Sequence, residues 1–187
     1  MSKEAGGTSF AHIKIKSMKN MSKVLVIYGS TTGNTESAAK TIAQQLSGHE
    51  VECMDVSNVS KADYESASVL ILGTSTWGFG DLQDDWDSAI DTLKSAGLSG
   101  KKVALFGCGD SSSYPDTFVD GMSYLKEASV EAGASLIGQV SVDGYSHEDS
   151  KSVEDGMFVG LALDDDDSDS VNQSRIADWV KSISGLI

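Results

Sequence analysis

The chain has 187 residues, of which 40% are apolar and 22% are charged, and this composition predicts a single soluble globular domain. Its 14 Lys and Arg residues stand against 28 Asp and Glu residues, and the net charge of −14 argues against binding to nucleic acid or to an anionic membrane. No run of about 18 apolar residues occurs, so no transmembrane helix is predicted. We expect the acidic surface to attract basic protein partners, with acidity that serves only solubility as the alternative.

Residues 1–20 differ in charge from the rest of the chain. They contain four lysines against one glutamate and show no amphipathic period, and Met21 follows them just before the first apolar segment. We predict a disordered extension over residues 1–20 and one folded domain over residues 21–187. A targeting peptide is an alternative for the extension, although the lack of arginine there disfavours it.

The cysteine pattern bears on the cell compartment. Cys53 and Cys108 are the two cysteines, and both lie within apolar strand-like segments. Buried thiols in a reducing space explain this placement better than a disulfide or a metal site. No secretory segment is recognisable, and we therefore predict a cytoplasmic protein, with organelle targeting left open.

Five apolar segments rich in β-branched residues alternate with segments of helical periodicity. Strands are predicted at residues 23–28, 50–55, 68–73 and 102–107, with a fifth over 136–142 that resumes at 158–163. Helices are predicted after the first strand, near 82–96, near 116–132 and at the C-terminus, where Ser170 and Gln173 have the spacing of a capping box. Because apolar strands that alternate with helices form parallel sheets covered on both faces, the sequence predicts a doubly wound, three-layer α/β fold.

Two polar stretches interrupt this order. Residues 145–157 separate the two parts of the fifth strand, and we interpret them as an insertion with a packing or partner-binding role. The acidic run at residues 164–169 lacks the glycine and the distal glutamate of a calcium loop, so we expect no metal site there. Its charge suits a solvated loop before the last helix, because negative charge is favourable at a helix N-terminus.

The first strand ends in the loop YGSTTGNT, at residues 28–35, which opens a helix. The loop matches neither the P-loop pattern, which needs a lysine after its second glycine, nor the dinucleotide pattern of three spaced glycines. Its hydroxyl groups and the helix N-terminus suit one monoester phosphate instead, with a structural β-turn as the alternative. The candidate phosphate ligands are Ser30, Thr31, Thr32, Gly33, Asn34 and Thr35.

Two further strand ends carry hydroxyl groups and loop aromatics, and ligands of doubly wound sheets bind at such ends. Trp77 and Tyr114 could enclose a planar ring between them, although Trp77 packed into the core is an alternative. Trp86, on a predicted helix face, is expected in the core. A ligand with a planar head, a polar linker and one terminal phosphate fits these loops, and FMN has that shape. The candidates at these ends are Thr74, Ser75, Thr76, Trp77, Cys108, Gly109, Asp110 and Tyr114.

Four segments resemble, in order, the motifs of the flavodoxin family. They read IYGSTTGNTE, STWGFGDLQDDW, FGCGDSSSY and DGYSHEDSKSVEDGMFVGLALDDD, and the resemblance extends over residues 23–187. The interrupted fifth strand is similar to the long-chain branch of that family, whereas the segments GSTTGNTE and FGCGDSS are similar to its short-chain branch as well. The resemblance implies a five-stranded sheet of order 2-1-3-4-5 and noncovalently bound FMN. It also implies a monomeric, low-potential carrier that moves one electron at a time between redox proteins, such as a donor similar to ferredoxin or flavodoxin NADP reductase.

The resemblance implies a role for each candidate residue. Residues 30–35 would bind the phosphate, and residues 74–76 would close that site and reach the ribityl chain. Trp77 and Tyr114 would flank the ring, while Gly109, Asp110 and the adjoining Cys108 would form the segment that faces its pyrimidine edge.

Three more residues enter through the same resemblance. Asp116 would contact the ribityl chain. The peptide between Gly78 and Phe79 would lie beside N5 of the flavin, and in the family it turns on reduction, which glycine makes inexpensive. The run of three serines before Tyr114 and the proline after it depart from the family pattern.

The main alternative function is an FMN-dependent quinone or NAD(P)H oxidoreductase of the same fold. No nicotinamide site is recognisable, so we predict a carrier protein rather than an enzyme. An FMN module of a larger reductase is a further alternative. A response-regulator receiver is excluded because Thr74, Ser75 and Thr76 stand where its third strand would end in aspartate.

Overall fold

The computed structural model describes residues 21–187, and the extension expected at residues 1–20 lies outside this range. The strands that form the main sheet are β1 (Lys23–Tyr28), β2 (Glu50–Asp55), β3 (Val69–Trp77), β5 (Lys102–Gly109) and β10 (Leu161–Asp164), with β4 (Asp81–Leu82) as a short antiparallel addition to β3. The five main strands pair in parallel in the order β2, β1, β3, β5, β10. This arrangement confirms the predicted fold and strand order.

Helices cover both faces of the sheet. They are α1 (Asn34–Gln45), α2 (Lys61–Ser66), α3 (Asp84–Ser95), α4 (Gly121–Glu131) and α5 (Asp169–Ile183). The short helix α2 was not predicted, because six residues show no clear period. A capping box defines it, in which Asp63 accepts the Ser60 N–H over 2.8 Å and Ser60 accepts the Asp63 N–H over 3.4 Å. Among residues 21–187, no helix combines the length and the apolar character needed to cross a membrane.

Two expectations about helix starts are wrong. Helix α5 begins at Asp169 with Ser168 at its N-cap, so Ser170 lies inside the helix and forms no capping box. The fourth helix begins at Gly121 rather than near residue 116. The preceding residues form turns, and Val119 has a φ of 51°, which an α-helix cannot contain.

The core has two layers, one on each face of the sheet. Leu25 and Ile27 of β1 pack on the side of α3 and α4, whereas Val24 and Val26 pack on the side of α1 and α5. Trp86 is fully buried, as predicted, and its Nε1 donates to the Gly73 carbonyl over 2.7 Å. This bond ties α3 to the middle of β3.

The fifth position of the sheet is split. The strand β6 (Ser135–Ile137) pairs with the first half of β5 and β10 with the second half. Between them lie residues 138–160, which extend beyond the predicted insertion of 145–157 on both sides and are called the insertion below. They form a small antiparallel sheet from β7 (Val140–Ser141), β8 (Val153–Glu154) and β9 (Met157–Phe158). The predicted extents of 136–142 and 158–163 are therefore wrong at their inner ends, because Gly138, with a φ of 81°, turns the chain out of the main sheet.

The insertion packs against residues 115–120. The N–H groups of Glu148 and Asp149 both donate to the Pro115 carbonyl, over 2.9 and 3.0 Å. The Ser150 hydroxyl donates to the Phe118 carbonyl over 2.6 Å. A packing role, one of the two that the sequence suggested, is present in the structure.

Candidate functional site

A cleft of about 380 Å³ lies at the carboxyl ends of β3 and β5, beside the start of α1. This is the edge at which doubly wound sheets bind ligands, and the volume is in the range of small-molecule sites. None of the described residues that line the cleft is Lys or Arg. The lining residues are Thr32, Asn34, Ser75, Thr76, Trp77, Gly78, Cys108, Gly109, Asp110, Tyr114 and Asp165.

Two further cavities lie near helix α5. One, of about 300 Å³, shares Asn34, Cys108 and Asp165 with the cleft and extends between α1 and α5. The other, of about 410 Å³, lies between the insertion and α5. The cleft alone combines the ends of neighbouring parallel strands with the two loop aromatics, and we therefore regard it as the site.

The Ser30 loop (residues 29–33) presents the N-terminus of α1 to the cleft. Gly33 is the N-cap of α1, with a φ of 98°, and among residues 21–187 no N-cap side chain caps the helix. The first-turn N–H groups of a helix have no partner within the helix, and its dipole favours an anion there. The Ser30 hydroxyl accepts the Gly33 N–H over 3.1 Å, which stabilises the loop itself. An uncapped helix start in a polar cleft suits a phosphate group.

Gln83 supports this loop from the buried side. Its side chain is 1% exposed, and Oε1 accepts the N–H groups of Asp85 and Trp86 at the start of α3. Its Nε2 donates to Thr31 Oγ1 over 3.3 Å. Gln83 therefore connects the N-terminus of α3 to the Ser30 loop.

The end of β3 forms one wall of the cleft. The Trp77 turn (residues 77–80) is closed by the Gly80 N–H, which donates to the Trp77 carbonyl over 3.1 Å. The indole of Trp77 is 41% exposed, and its Nε1 donates to Ser75 Oγ over 2.9 Å. This bond fixes the indole beside the cleft, so Trp77 does not pack into the core.

The Tyr114 loop (residues 110–116) forms the opposite wall. The Asp110 carboxylate accepts the N–H groups of Ser113 and Ser112 over 2.8 and 3.1 Å. These hydrogen bonds, with that of Ser113 foremost, lower the pKa of Asp110 below its usual value. The Tyr114 N–H donates to the Asp110 carbonyl over 3.0 Å, and its side chain stays 54% exposed. The loop thus holds a second aromatic side chain at the mouth of the cleft.

Cys108 lines the floor of the cleft, and Asp165 lines its mouth. Burial raises the pKa of the Cys108 thiol to about 12, so the thiol remains neutral. Asp165 reaches solvent at the mouth, yet partial burial raises the pKa of its carboxyl group, against the effect of the Asn34 amide. The backbone N–H of Asp165 donates to the Gly109 carbonyl over 2.8 Å, which ties the loop after β10 to the end of β5.

The structure brings ten of the predicted site residues together around the cleft and leaves seven outside its lining. Thr35 and Thr74 are buried beneath it, and Thr35 interacts with the Cys108 thiol. Phe79 is 92% exposed at the tip of the Trp77 turn, and Asp116 is exposed beyond the lining. The others outside the lining are Ser30, Thr31 and Gly33, which form the Ser30 loop.

Sequence reasoning missed Asp165 and Gln83. Asp165 directly follows β10, and the strand order places that end next to the end of β5. Reading the acidic run together with the strand order could therefore have identified it. Gln83 carried no such signal, because glutamine is not among the preferred N-cap residues.

The fit to FMN can be judged from these features. The cleft offers an uncapped helix N-terminus and hydroxyl groups at one end, and a neutral floor with two aromatic side chains at the other. A phosphate suits the first environment and a planar ring the second. The residues present therefore fit FMN.

Known proteins of similar sequence and structure agree with this reading. Residues 26–179 match the family described as Flavodoxin. The chain is 43% identical over 165 residues to a flavodoxin of Trichodesmium erythraeum, which covers 87% of this chain and 96% of that protein. It is also 40% identical over 160 residues to flavodoxin 1 of Escherichia coli, and this match covers 85% of this chain and 91% of that protein. Its structure resembles that of Fusobacterium nucleatum flavodoxin bound to flavin mononucleotide, with a TM-score of 0.84, 29% identity, and coverage of 89% of this chain and 99% of that one. The chain therefore belongs to the flavodoxin family.

Proposed function

We propose that this flavodoxin binds FMN noncovalently in the cleft and carries one electron at a time between redox proteins. The observation that carries the proposal is the combination, in one cleft, of an uncapped helix N-terminus with two loop aromatics. The related flavodoxin of Fusobacterium nucleatum binds FMN in a similar fold. When bound, FMN supplies a ring system that accepts and releases single electrons.

The Ser30 loop would hold the phosphate. Thr32 and Asn34 line the cleft at the start of α1, and the hydroxyls of Ser30, Thr31 and Thr35 belong to the same loop and helix start. Ser75 and Thr76 close the site from β3. Hydrogen bonds and the helix dipole would replace the cation that phosphate sites often contain.

The Trp77 turn and the Tyr114 loop would hold the ring. Trp77 and Tyr114 would cover its faces and exclude water, and Gly109 and Asp110 would approach its edge. In a site with few water molecules, nearby negative charge disfavours an additional negative charge on the ligand. Asp110 beside the cleft, with the exposed Asp81 and Asp84 near the Trp77 turn, therefore supports a low-potential carrier.

Partner proteins would approach the same edge. Flavodoxins exchange electrons with redox partner proteins, and here the rim combines exposed aromatic side chains with carboxylates. The net charge of −14 supports partners with basic docking surfaces, such as a reductase-like donor that binds NADP. We expect the carrier to act as a monomer in the cytoplasm.

Titration of the apoprotein with FMN and with riboflavin tests the cofactor assignment. We expect one FMN to bind per chain, and riboflavin, which lacks the phosphate, to bind more weakly. Equal affinity for the two would contradict the phosphate site, and no binding of either would refute the proposal.

The carrier role is tested with the FMN-loaded protein. We expect reduction by a basic partner reductase to slow as ionic strength rises, because salt screens attraction between opposite charges. Turnover of a quinone by NAD(P)H without any partner protein would favour the oxidoreductase alternative instead.

A further inference from the structure

Asp120 stands at the start of α4 with a side chain that is only 1% exposed. An aspartate at a helix start commonly caps the helix, but the Asp120 side chain makes no capping hydrogen bond. Its Oδ1 instead accepts the backbone N–H of Lys151, in the insertion, over 2.7 Å. Helix capping therefore does not explain this residue.

The second oxygen of Asp120, Oδ2, has no hydrogen-bond partner among residues 21–187. The ammonium group of Lys151 lies 3.8 Å away on an exposed side chain. Burial raises the pKa of Asp120, which shows that the environment disfavours its charge. Buried polar atoms normally have a hydrogen-bond partner, so the contacts of Oδ2 should explain why this one is present without one.

Oδ2 packs against Gly80, the last residue of the Trp77 turn. A Cβ atom at Gly80 would lie only 2.7 Å from Oδ2, so the carboxyl group occupies the space that a side chain would need. Gly80 has a φ of 101°, which favours glycine there independently. The Asp120 carboxyl group is thus in contact with the turn that presents Trp77 and Gly78 to the cleft.

The backbone around Asp120 is held on both sides. The Gly121 N–H donates to Thr76 Oγ1 over 2.9 Å, next to the Trp77 turn. Val119 has a φ of 51°, a conformation that costs a non-glycine residue about 1–3 kcal/mol and persists only where the surroundings enforce it. Its carbonyl accepts the Ser152 hydroxyl over 2.8 Å. Contacts with both β3 and the insertion therefore hold Asp120 in van der Waals contact with the Trp77 turn.

We propose that Asp120 is a positioning residue of the cofactor site, whose carboxyl group holds the Trp77 turn in one conformation and thereby sets the midpoint potentials of bound FMN. The inference rests on the proposed function, because it takes FMN as the ligand. Trp77 and Gly78 line the cleft, so their position decides which groups and how much water surround the ring.

The variant Asp120→Ala, in the full chain, tests the proposal. In the apoprotein, ¹⁵N relaxation reports the backbone order parameters of Gly78, Phe79 and Gly80. We expect them to fall from about 0.85, typical of rigid backbone, to below about 0.6. After FMN is added, redox titration should show a shift of about 59 mV or more in at least one one-electron midpoint potential, which corresponds to a tenfold change in the equilibrium constant.

Two further variants complete the experiment. Asp120→Ser also withdraws the side chain from Gly80 but keeps a hydroxyl near Lys151, so it should give the same changes and serves if Asp120→Ala does not fold. Asp155→Asn removes a charge from an exposed turn of the insertion and should change neither quantity.

The outcomes separate the proposal from a purely structural role. Unchanged order parameters in the Trp77 turn of a folded Asp120 variant would overturn it, even if that variant melted at a lower temperature. Lower order parameters in the Trp77 turn together with unchanged midpoint potentials would show that the conformation of this turn does not set the potentials of FMN. Failure of the unmodified chain to bind FMN would refute the proposed function alone, since the apoprotein measurement does not depend on FMN.

Discussion

The side-chain amide of Asn34 donates a hydrogen bond to Oδ2 of Asp165 over 3.1 Å. This bond joins the first residue of α1 to the loop after β10, across the mouth of the cleft. The two residues lie 131 positions apart in the chain, and they meet because β10 ends and α1 begins at the same edge of the sheet. The bond therefore closes one side of the proposed cofactor site.

We expect Asp165→Ala to weaken FMN binding about fivefold. The loss corresponds to about 1 kcal/mol, the typical contribution of one hydrogen bond, because Asn34 then loses its partner at the cleft. Titration of the apoprotein, followed by flavin fluorescence, measures the change. Asp166→Ala removes the same charge from the next residue and leaves the bond to Asn34 intact, so equal weakening by both variants would contradict a specific role for Asp165.

The Tyr114 loop should depend on pH through Asp110. Hydrogen bonds in the folded state lower the pKa of Asp110, so this group stabilises the folded protein above its unfolded pKa of about 3.9. The stabilisation is lost as the pH falls through the lower folded-state value. We therefore expect Asp110→Ala to lower the urea midpoint of the apoprotein at pH 7 and to have a smaller effect near pH 3.

Urea unfolding at a series of pH values measures this difference. Asp178→Ala, on an exposed face of α5, is the matched control and should show no such pH-dependent gap. If the difference in urea midpoint between Asp110→Ala and the unmodified protein grew as the pH fell, the result would contradict the stabilisation expected from the lowered pKa of Asp110.

Gln83 should affect stability and phosphate recognition together. We expect Gln83→Ala to reduce the free energy of unfolding by about 1–2 kcal/mol, because α3 loses its cap and the buried bond to Thr31 disappears. FMN affinity should fall more than riboflavin affinity, since the Ser30 loop holds the phosphate. Thermal melting and the two titrations test this, with Gln44→Ala, exposed on α1, as the control. An equal loss for FMN and riboflavin would assign Gln83 to stability alone.

Substitution of Gly78 should change both the stability of the protein and the midpoint potentials of bound FMN. It has a φ of 53°, which a β-branched residue tolerates poorly, so Gly78→Val should destabilise the protein by about 1–2 kcal/mol. Gly48→Val places the same side chain at a φ of 97° with open space around it, so it carries the backbone strain without the 2.6 Å contact that a Cβ atom at Gly78 would make with Asp81 Oδ2. We expect only Gly78→Val to shift the midpoint potentials of the FMN-loaded protein. Equal potentials in the two variants would show that the backbone at Gly78 does not influence the flavin.

The sequence allowed the sheet to be predicted because β1, β3 and β5 each contain a continuous apolar run, while β2 starts with polar and apolar residues in alternation, and both patterns indicate a strand. Trp86 was assigned to the core for a similar reason, since its helix shows a clear apolar stripe. The prediction of a capping box at Ser170 failed because the motif tests only the spacing of two residues and not where the helix starts, and the N-cap is Ser168, two residues earlier in the chain. Local pattern thus predicts periodic elements better than their ends.

The site was predicted in outline for a different reason. Trp77, Tyr114 and the Ser30 loop lie at strand ends, and the topology of the fold brings such ends together. Gln83 and Asp120 could not be found this way, because their roles depend on contacts between segments far apart in the chain. Thr35 and Thr74 carry the right functional groups, but the turn of the backbone buries them under the cleft.

The two outer strands of the sheet have a consequence for how the protein behaves at high concentration. Along β2, Glu50 and Glu52 are exposed at one edge, and a strand from another copy would bring its own carboxylates beside them. At the other edge, β10 has only four residues, and all are buried. Charge at one edge and short, covered strands at the other are the devices that prevent β-sheets from joining edge to edge. We therefore expect the protein to resist aggregation through strand pairing even when its cofactor has been removed.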